Sequence, residues 1–329
     1  MEKESLILVS ERPDDLVFAT RIAEITGLKL VQTTDLAVIT NAIKEQDIPA
    51  IFLDVSSESN FRAFESAIHD QVGLFSDRLN ANRFHYISDL DLEEKKFLIK
   101  SPIFGNFIYR KFDGPEKASK AGIRYANMLK ASLGDRPAFG IRNFFHPKSQ
   151  VQTISMKRAN QKQQVVEALR AYLIKAKYPT RMANTIANAV DELIMNAIFA
   201  APTDATGRRI YEQTPRDTDI PLDGRAAIEI SIAFDGIQVG ICATDLFGSM
   251  DKEKVLGHLS TLYKTEQYKM KLSVAGAGIG LATIFKNGGS LIFLCEKNTK
   301  TEVCVIFERL DNIREFKDQF RYILNQYHY

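Results

Sequence analysis

The sequence predicts an α/β protein of two domains, a doubly wound parallel-sheet domain followed by a domain of helices and paired strands. Three observations carry that prediction. Short apolar runs alternate with amphipathic stretches from residue 5 to about 133, which is the signature of βαβ units on a parallel sheet. The stretch 134–148, with Pro137, Gly140 and Pro147, interrupts this pattern as a linker does. Beyond it one edge-strand-like run and two helical stretches come first and further strand-like runs later, two of them joined through Asp235-Gly236, a strong hairpin signal. The chain has 329 residues, 45% apolar and 26% charged, which suits two globular domains rather than disorder. The expected division is 1–133, a linker at 134–149, and 150–329.

In the first domain strands are expected at 6–10, 28–32, 50–55, 84–88 and 106–111. Apolar residues at three- and four-residue intervals predict helices over 14–26, 34–45, 59–72 and 115–132. Five strands and about five helices make a three-layer unit. In the second domain 150–156 alternates like an edge strand, and a helix over 161–177 ends before Pro179. A second helix covers 183–200, followed by a polar loop at 202–225, readable as a partner-binding insertion or as a disordered excursion. Strands are expected at 227–234, 236–244, 290–296 and 302–308, with a helix at 281–286. The sequence shows no internal repeat and no low-complexity tract.

Composition narrows the function classes. Forty-three basic against 41 acidic residues leave a net charge of +2, so no electrostatic feature points to nucleic acid or membrane. The first fifteen residues lack the basic and then long apolar segments of a secretory leader. No apolar run approaches the roughly 18 residues needed to span a bilayer. A soluble cytoplasmic protein with protein or small-molecule partners is the expectation. Cys242, Cys295 and Cys304 sit in apolar β-like runs without close paired spacing, and read as reduced core residues.

Three elements of the second domain carry chemistry. On the helix over 183–200, Glu192 and Asn196 are four residues apart and share a face. A carboxylate beside an amide oxygen suits Mg²⁺, which takes hard oxygen ligands, keeps waters and is completed by substrate phosphates. Taken alone, such a pair is more often a polar helix surface. The strand over 236–244 runs into Asp245, with Gly248 and Ser249 in the turn after it. A carboxylate there can accept from an exocyclic amine such as that of adenine, and a nearby glycine lets backbone approach the ring. Finally Gly276, Gly278 and Gly280 form GxGxG ahead of a helical stretch, where exposed amides and the helix dipole attract phosphate. A dinucleotide fingerprint would need the third glycine one position later, where Leu281 stands, and a strand just before it.

In this order, ExxxN helix, strand-Asp-turn, long polar segment and GxGxG-helix, the elements resemble the N, G1 and G2 boxes of the GHKL ATPases. The resemblance covers about 150–308, and among that group the chain looks most like the anti-sigma-factor serine kinases. It implies a two-layer α/β sandwich of the Bergerat type that binds Mg-ATP. By that resemblance Asn196 chelates Mg²⁺, Glu192 is the catalytic base, Asp245 holds adenine, and Gly276, Gly278 and Gly280 contact phosphate and hinge a lid over 251–271. Lys264, Lys269 or Lys271 would lie near phosphate. Where the family has DxGxG, this chain has Asp245-Leu246-Phe247-Gly248-Ser249, so Gly248 would serve from a shifted position.

In the first domain Asp54, Ser88 and Lys111 fall at the ends of the third, fourth and fifth expected strands. Ligands of open α/β sheets collect at such ends. The arrangement resembles the receiver domain of response regulators, a flavodoxin-like fold, over about 1–133. It implies that Asp54 accepts phosphate, Ser88 is the switch hydroxyl and Lys111 pairs with the phosphoryl group. Receivers place two acids after the first strand to hold Mg²⁺; here Ser10 and Glu11 stand there. The two resemblances imply a two-component-like signalling protein, a protein kinase or nucleotide-dependent partner switch compatible with a homodimer, under control of its receiver-like part. The competing reading is a non-catalytic scaffold of two degenerate domains.

Overall fold

The computed structural model describes residues 4–45, 48–72, 79–134, 138–261 and 279–328. The protein is α/β and divides into two compact units, Met1–Asp135 with Phe320–Asn325, and Arg136–Gln319 with Gln326–Tyr329.

The first unit contains strands β1 (Ser5–Val9), β2 (Lys29–Gln32), β3 (Ala50–Asp54), β4 (Phe84–Ser88) and β5 (Asn106–Tyr109), all parallel, in the order β2-β1-β3-β4-β5. The central strands are buried over almost their whole length, as expected of a sheet covered on both faces. Helices α1 (Pro13–Thr26), α2 (Leu36–Glu45), α3 (Glu58–Val72), the short α4 (Lys96–Ile99) and α5 (Pro115–Ser132) connect them. Helix α1 packs on α5 and α2 on α3. Pro13 opens α1 and Gly27, at φ +80°, ends it, the usual asymmetry of a helix start and stop. The core is aromatic: Phe18 stacks on Phe112 with centroids 4.9 Å apart and meets Phe52 edge-on at 6.0 Å. Strand order reverses between β1 and β3, so a crevice opens at their carboxyl ends, where Asp54 lies.

The second unit contains β6 (Gln150–Met156), β7 (Ile228–Phe234), β8 (Gln238–Asp245), β9 (Ser290–Glu296) and β10 (Lys300–Glu308), antiparallel in the order β9-β10-β8-β7-β6. Its helices are α6 (Lys162–Lys175), α7 (Thr180–Met195), α8 (Lys252–Thr261) and α9 (Ile279–Lys286). Helix α7 buries Met182, Ile186, Val190 and Leu193 at helical spacing and meets α6, α9, β8 and β10. Its last turn, Asn196–Ala200, widens to a π turn closed by Ala201 N–H on Asn196 O at 3.0 Å. On the opposite face of the sheet, a Cβ at Gly240 would stand 2.6 Å from the Phe145 ring and 3.0 Å from Ile141. Residues of the expected linker are therefore packed on the sheet. The loop at 202–225 is anchored too. Ala159 N–H donates to Ile220 O and Leu222 N–H to Lys157 O, each at 2.9 Å, and Ile220 and Leu222 are buried.

The sequence reading ends its strands at β10, but the chain continues into α10 (Ile313–Lys317) and strand β11 (Arg321–His328). Arg321, Tyr322 and Ile323 pair antiparallel with Tyr109, Ile108 and Phe107 of β5 in the first unit. Almost all of β11 is buried, polar residues included, so it carries no alternating pattern. Asn325 is accommodated by two bonds, its Nδ2 donating to Gly105 O at 2.6 Å and its N–H to Asn106 Oδ1 at 2.8 Å.

Candidate functional site

Glu192 and Asn196 project from the carboxyl end of α7, one helical turn apart. Asn196 Nδ2 donates to Glu192 Oε1 at 3.2 Å. This turns Asn196 Oδ1 away from the carboxylate, buried and without a hydrogen-bond partner among the described residues. Such an acceptor costs roughly 1–3 kcal/mol where it stays unmatched, a cost that a bound cation or donor would remove. Burial pushes the Glu192 carboxyl above its ordinary range, against the opposing bond from Asn196 and the charge of Arg216. Gly280, in α9, is what lets the two helices meet there. A Cβ on it would fall 1.9 Å from Glu192 Cδ.

Asp245 ends β8 with 5% exposure. Burial raises its carboxyl to about 7, although the Phe247 and Gly248 amides, Thr301 and Arg225 all favour the charged form. Phe247 N–H donates to Asp245 Oδ1 at 2.9 Å and closes the turn. Gly248 adopts φ +56°, and a Cβ on it would stand 2.1 Å from Glu296 O and 2.5 Å from Thr299 N. Its lack of a side chain thus serves the packing of this turn on the β9–β10 turn, where Asn298 N–H donates to Gly248 O at 3.0 Å. Ser249, not Gly248, faces the neighbouring cleft, and its hydroxyl ties the turn to the end of α7 through Ala201 O at 2.6 Å.

Asn196 and Asp245 line one open cleft with about 740 Å³ of empty space. Leu193, Ala197, Val255 and Leu281 supply apolar walls, and Arg209 and Lys254 add cations. An apolar slot holding a few convergent polar groups is the usual form of a small-molecule site. Arg209 comes from the 202–225 loop and Lys254 from the first turn of α8, and neither was singled out from sequence. Lys254 has a local signal, its N–H capping onto Asp251 Oδ1 at 3.0 Å. Lys264, Lys269, Lys271, Gly276 and Gly278 lie outside the described residues.

In the first unit the crevice is occupied by a guanidinium. Arg110, 3% exposed at its side chain, donates from Nε and Nη2 to Asp15 at 2.8 and 2.7 Å, from Nη2 to Asp54 Oδ1 at 3.0 Å, and from Nη1 to Asp89 Oδ1 at 2.8 Å. Ser10 Oγ adds a bond to Asp15 Oδ2 at 2.6 Å, and Arg12 pairs with Asp89 at 2.6 Å. Burial raises the Asp15 carboxyl despite Arg110, while Arg110 and Arg12 outweigh burial at Asp89 and hold it low. Asp54 Oδ1 also accepts from Ser56 N at 3.1 Å and Ser56 Oγ at 2.6 Å. Among the expected residues, Ser88 is buried and its Oγ accepts from Leu90 N–H at 3.0 Å. Lys111 carries its Nζ over the Tyr109 ring at 5.5 Å, and Glu11 is exposed. The buried acid here is Asp15, in the first turn of α1. Sequence reasoning missed it together with Arg110 and Asp89.

No protein-family model matches this chain, and no curated protein matches its sequence.

Proposed function

We propose that the second unit binds Mg-ATP in the cleft between α7, β8 and α8 as a GHKL-type domain, and that the protein acts in cytoplasmic signalling as a protein kinase or nucleotide-dependent partner switch. The observation that carries this reading is that Asn196, whose buried Oδ1 has no partner among the described residues, lines the same cleft as buried Asp245. An amide oxygen without a partner matches a hard cation completed by phosphates and water. Asn196 would hold Mg²⁺, which neutralises phosphate charge when bound. Asp245 would accept from the adenine amine, with Arg209 and Lys254 facing the anionic end. Glu192, oriented by Asn196 and kept basic by its burial, is placed to take a proton from an attacking hydroxyl or water. The protein is expected to work on or with another protein, and a homodimer is compatible with that role.

For the first unit the Arg110 cluster favours a receiver-like domain used for docking over one that is phosphorylated. Among the described residues no helix is long and apolar enough to cross a membrane.

Calorimetric titration of the full chain with ATP, with and without Mg²⁺, tests the reading. Magnesium-strengthened binding is expected, and absence of binding at millimolar ATP overturns it. Glu192→Ala should still bind ATP while hydrolysis or transfer falls by about 10²-fold, the contribution typical of a positioned base.

A further inference from the structure

Cys242 and Cys304 stand directly opposite each other on β8 and β10, on the sheet face that bears Gly240 and lies away from the cleft lined by Asn196 and Asp245. Glu302, two residues before Cys304, shares that face. Cys242 Sγ, Cys304 Sγ and a carboxylate oxygen of Glu302 all lie within 4.8 Å of one another, and all three residues are buried. Glu302 is 3% exposed, its Oε1 pairs with Lys300 Nζ at 2.9 Å, and its Oε2 accepts from Gly140 N–H at 2.6 Å.

We propose that Cys242, Cys304 and Glu302 form a binding site for a thiophilic divalent cation such as Zn²⁺. Two sulfurs and a carboxylate oxygen are the donor types zinc selects, and three protein ligands leave a fourth tetrahedral position for water. The charges close. Two thiolates and one carboxylate carry three negative charges, which the divalent ion and the Lys300 ammonium balance. Glu302 can ligate without releasing its present partners, because a carboxylate has about four lone-pair sites and two are in use. Metal binding replaces two S–H bonds by two S–metal bonds and releases two protons, with no oxidant required. In the metal-free protein burial drives both thiols upward, so they persist as protonated core groups until a cation draws off the protons. The Gly140 contact gives the site a mechanical consequence. Metal held by Glu302 fastens the 138–145 segment, whose Ile141 and Phe145 cover Gly240, onto the sheet.

The test is anaerobic titration of the full reduced chain with Co²⁺, followed by absorption. Expected is one equivalent with sulfur-to-cobalt charge transfer and the strong visible bands of a tetrahedral ion, displaced stoichiometrically by Zn²⁺. Cys295→Ser should leave the spectrum intact. Cys242→Ser and Cys304→Ser should each remove half or more of the charge-transfer intensity. Glu302→Gln should keep that band while weakening cobalt affinity at least about tenfold, the loss seen even for outer-sphere partners. The parent spectrum alone can overturn the proposal, whatever the variants do. Three free thiols after unfolding but no charge-transfer band at millimolar Co²⁺ would do so. A band surviving in both cysteine variants would do so as well. A 2 Da mass deficit mapping to a Cys242–Cys304 disulfide in protein that takes up no metal would replace the metal site by a redox pair.

Discussion

Both units gather polar groups beside the carboxyl end of a central strand, and they treat those groups in opposite ways. In the first unit Asp15, Asp54 and Asp89 converge on Arg110, and the guanidinium spends its donors on them. In the second, Asp245 and Asn196 share a cleft in which Asn196 Oδ1 has no partner among the described residues. A polar cluster whose bonds are all internal holds a fold together, whereas one with an orphaned buried acceptor still has a bond to offer a ligand. The number of polar residues does not separate the two sites. The satisfaction of their hydrogen bonds does.

The sharpest way to break this contrast is to remove the internal cation. In Arg110→Met, Asp15 is left at 0% exposure beside two further carboxylates. Loss of one partner from a buried ion pair costs about 3–5 kcal/mol, and urea unfolding of the full chain should show it as a lowered midpoint for the first unit. A change below about 1 kcal/mol would mean that the cluster is not structural.

Next comes Asp245. Its carboxyl titrates at about 7 in the folded protein against 3.8 when unfolded, so the folded state holds the proton more tightly. The stability this contributes is complete below pH 3.8 and is lost as pH rises towards 7, reaching about 4 kcal/mol at 1.36 kcal/mol for each factor of ten. Asp245→Asn abolishes the titration, so its stability advantage over the parent should grow from pH 4 to pH 8. Parallel pH–stability curves for the two proteins would refute the buried, protonatable carboxylate.

Asn196→Ala gives a smaller effect with a distinctive shape. The magnesium-dependent part of ATP affinity should fall roughly tenfold, about 1.4 kcal/mol. Stability should move by less than about 1 kcal/mol, because deleting an unmatched acceptor removes a desolvation cost as well as the bond to Glu192. Unfolding with loss of binding would make the amide a packing group.

Much of the secondary structure was legible because it is written in period. The strand over 84–88 and the helix over 115–132 coincide with β4 and α5, and most other bounds move by a few residues. The strand β11 was not legible, since a buried strand with Asn325 and Gln326 inside it has no alternation to read. In the candidate sites, i to i+4 spacing was enough to pair Glu192 with Asn196, a contact made within one helix. The Arg110 cluster depends on which way a side chain leaves an extended strand end. Neighbours at 110 and 111 point to opposite faces, so Arg110 reaches Asp54 while Lys111 lies over Tyr109. Gly248 shows a different limit. Its position in a motif suggested approach to a nucleotide, but the contact that forbids a side chain there comes from Glu296 and Thr299, distant in sequence.

The smallest expected effect concerns Asp54, where the two kinds of site can be told apart chemically. An acyl phosphate at a strand end needs a carboxylate oxygen free to attack and a divalent cation to neutralise the incoming phosphoryl group. Asp54 is 20% exposed at its side chain, and its Oδ1 already accepts from Arg110, Ser56 N and Ser56 Oγ. Arg110 also engages the acids, Asp15 and Asp89, that a metal would use. Incubation with a small phosphodonor and Mg²⁺ should therefore yield at most slow, partial modification, read as a phosphate mass increment absent from Asp54→Asn. Raising magnesium should not speed it, because the cation would have to displace a guanidinium held by four hydrogen bonds to three carboxylates. Rapid, complete and magnesium-dependent labelling would show that Arg110 swings away on demand, and the first unit would then hold a site of the same unsaturated kind as the second.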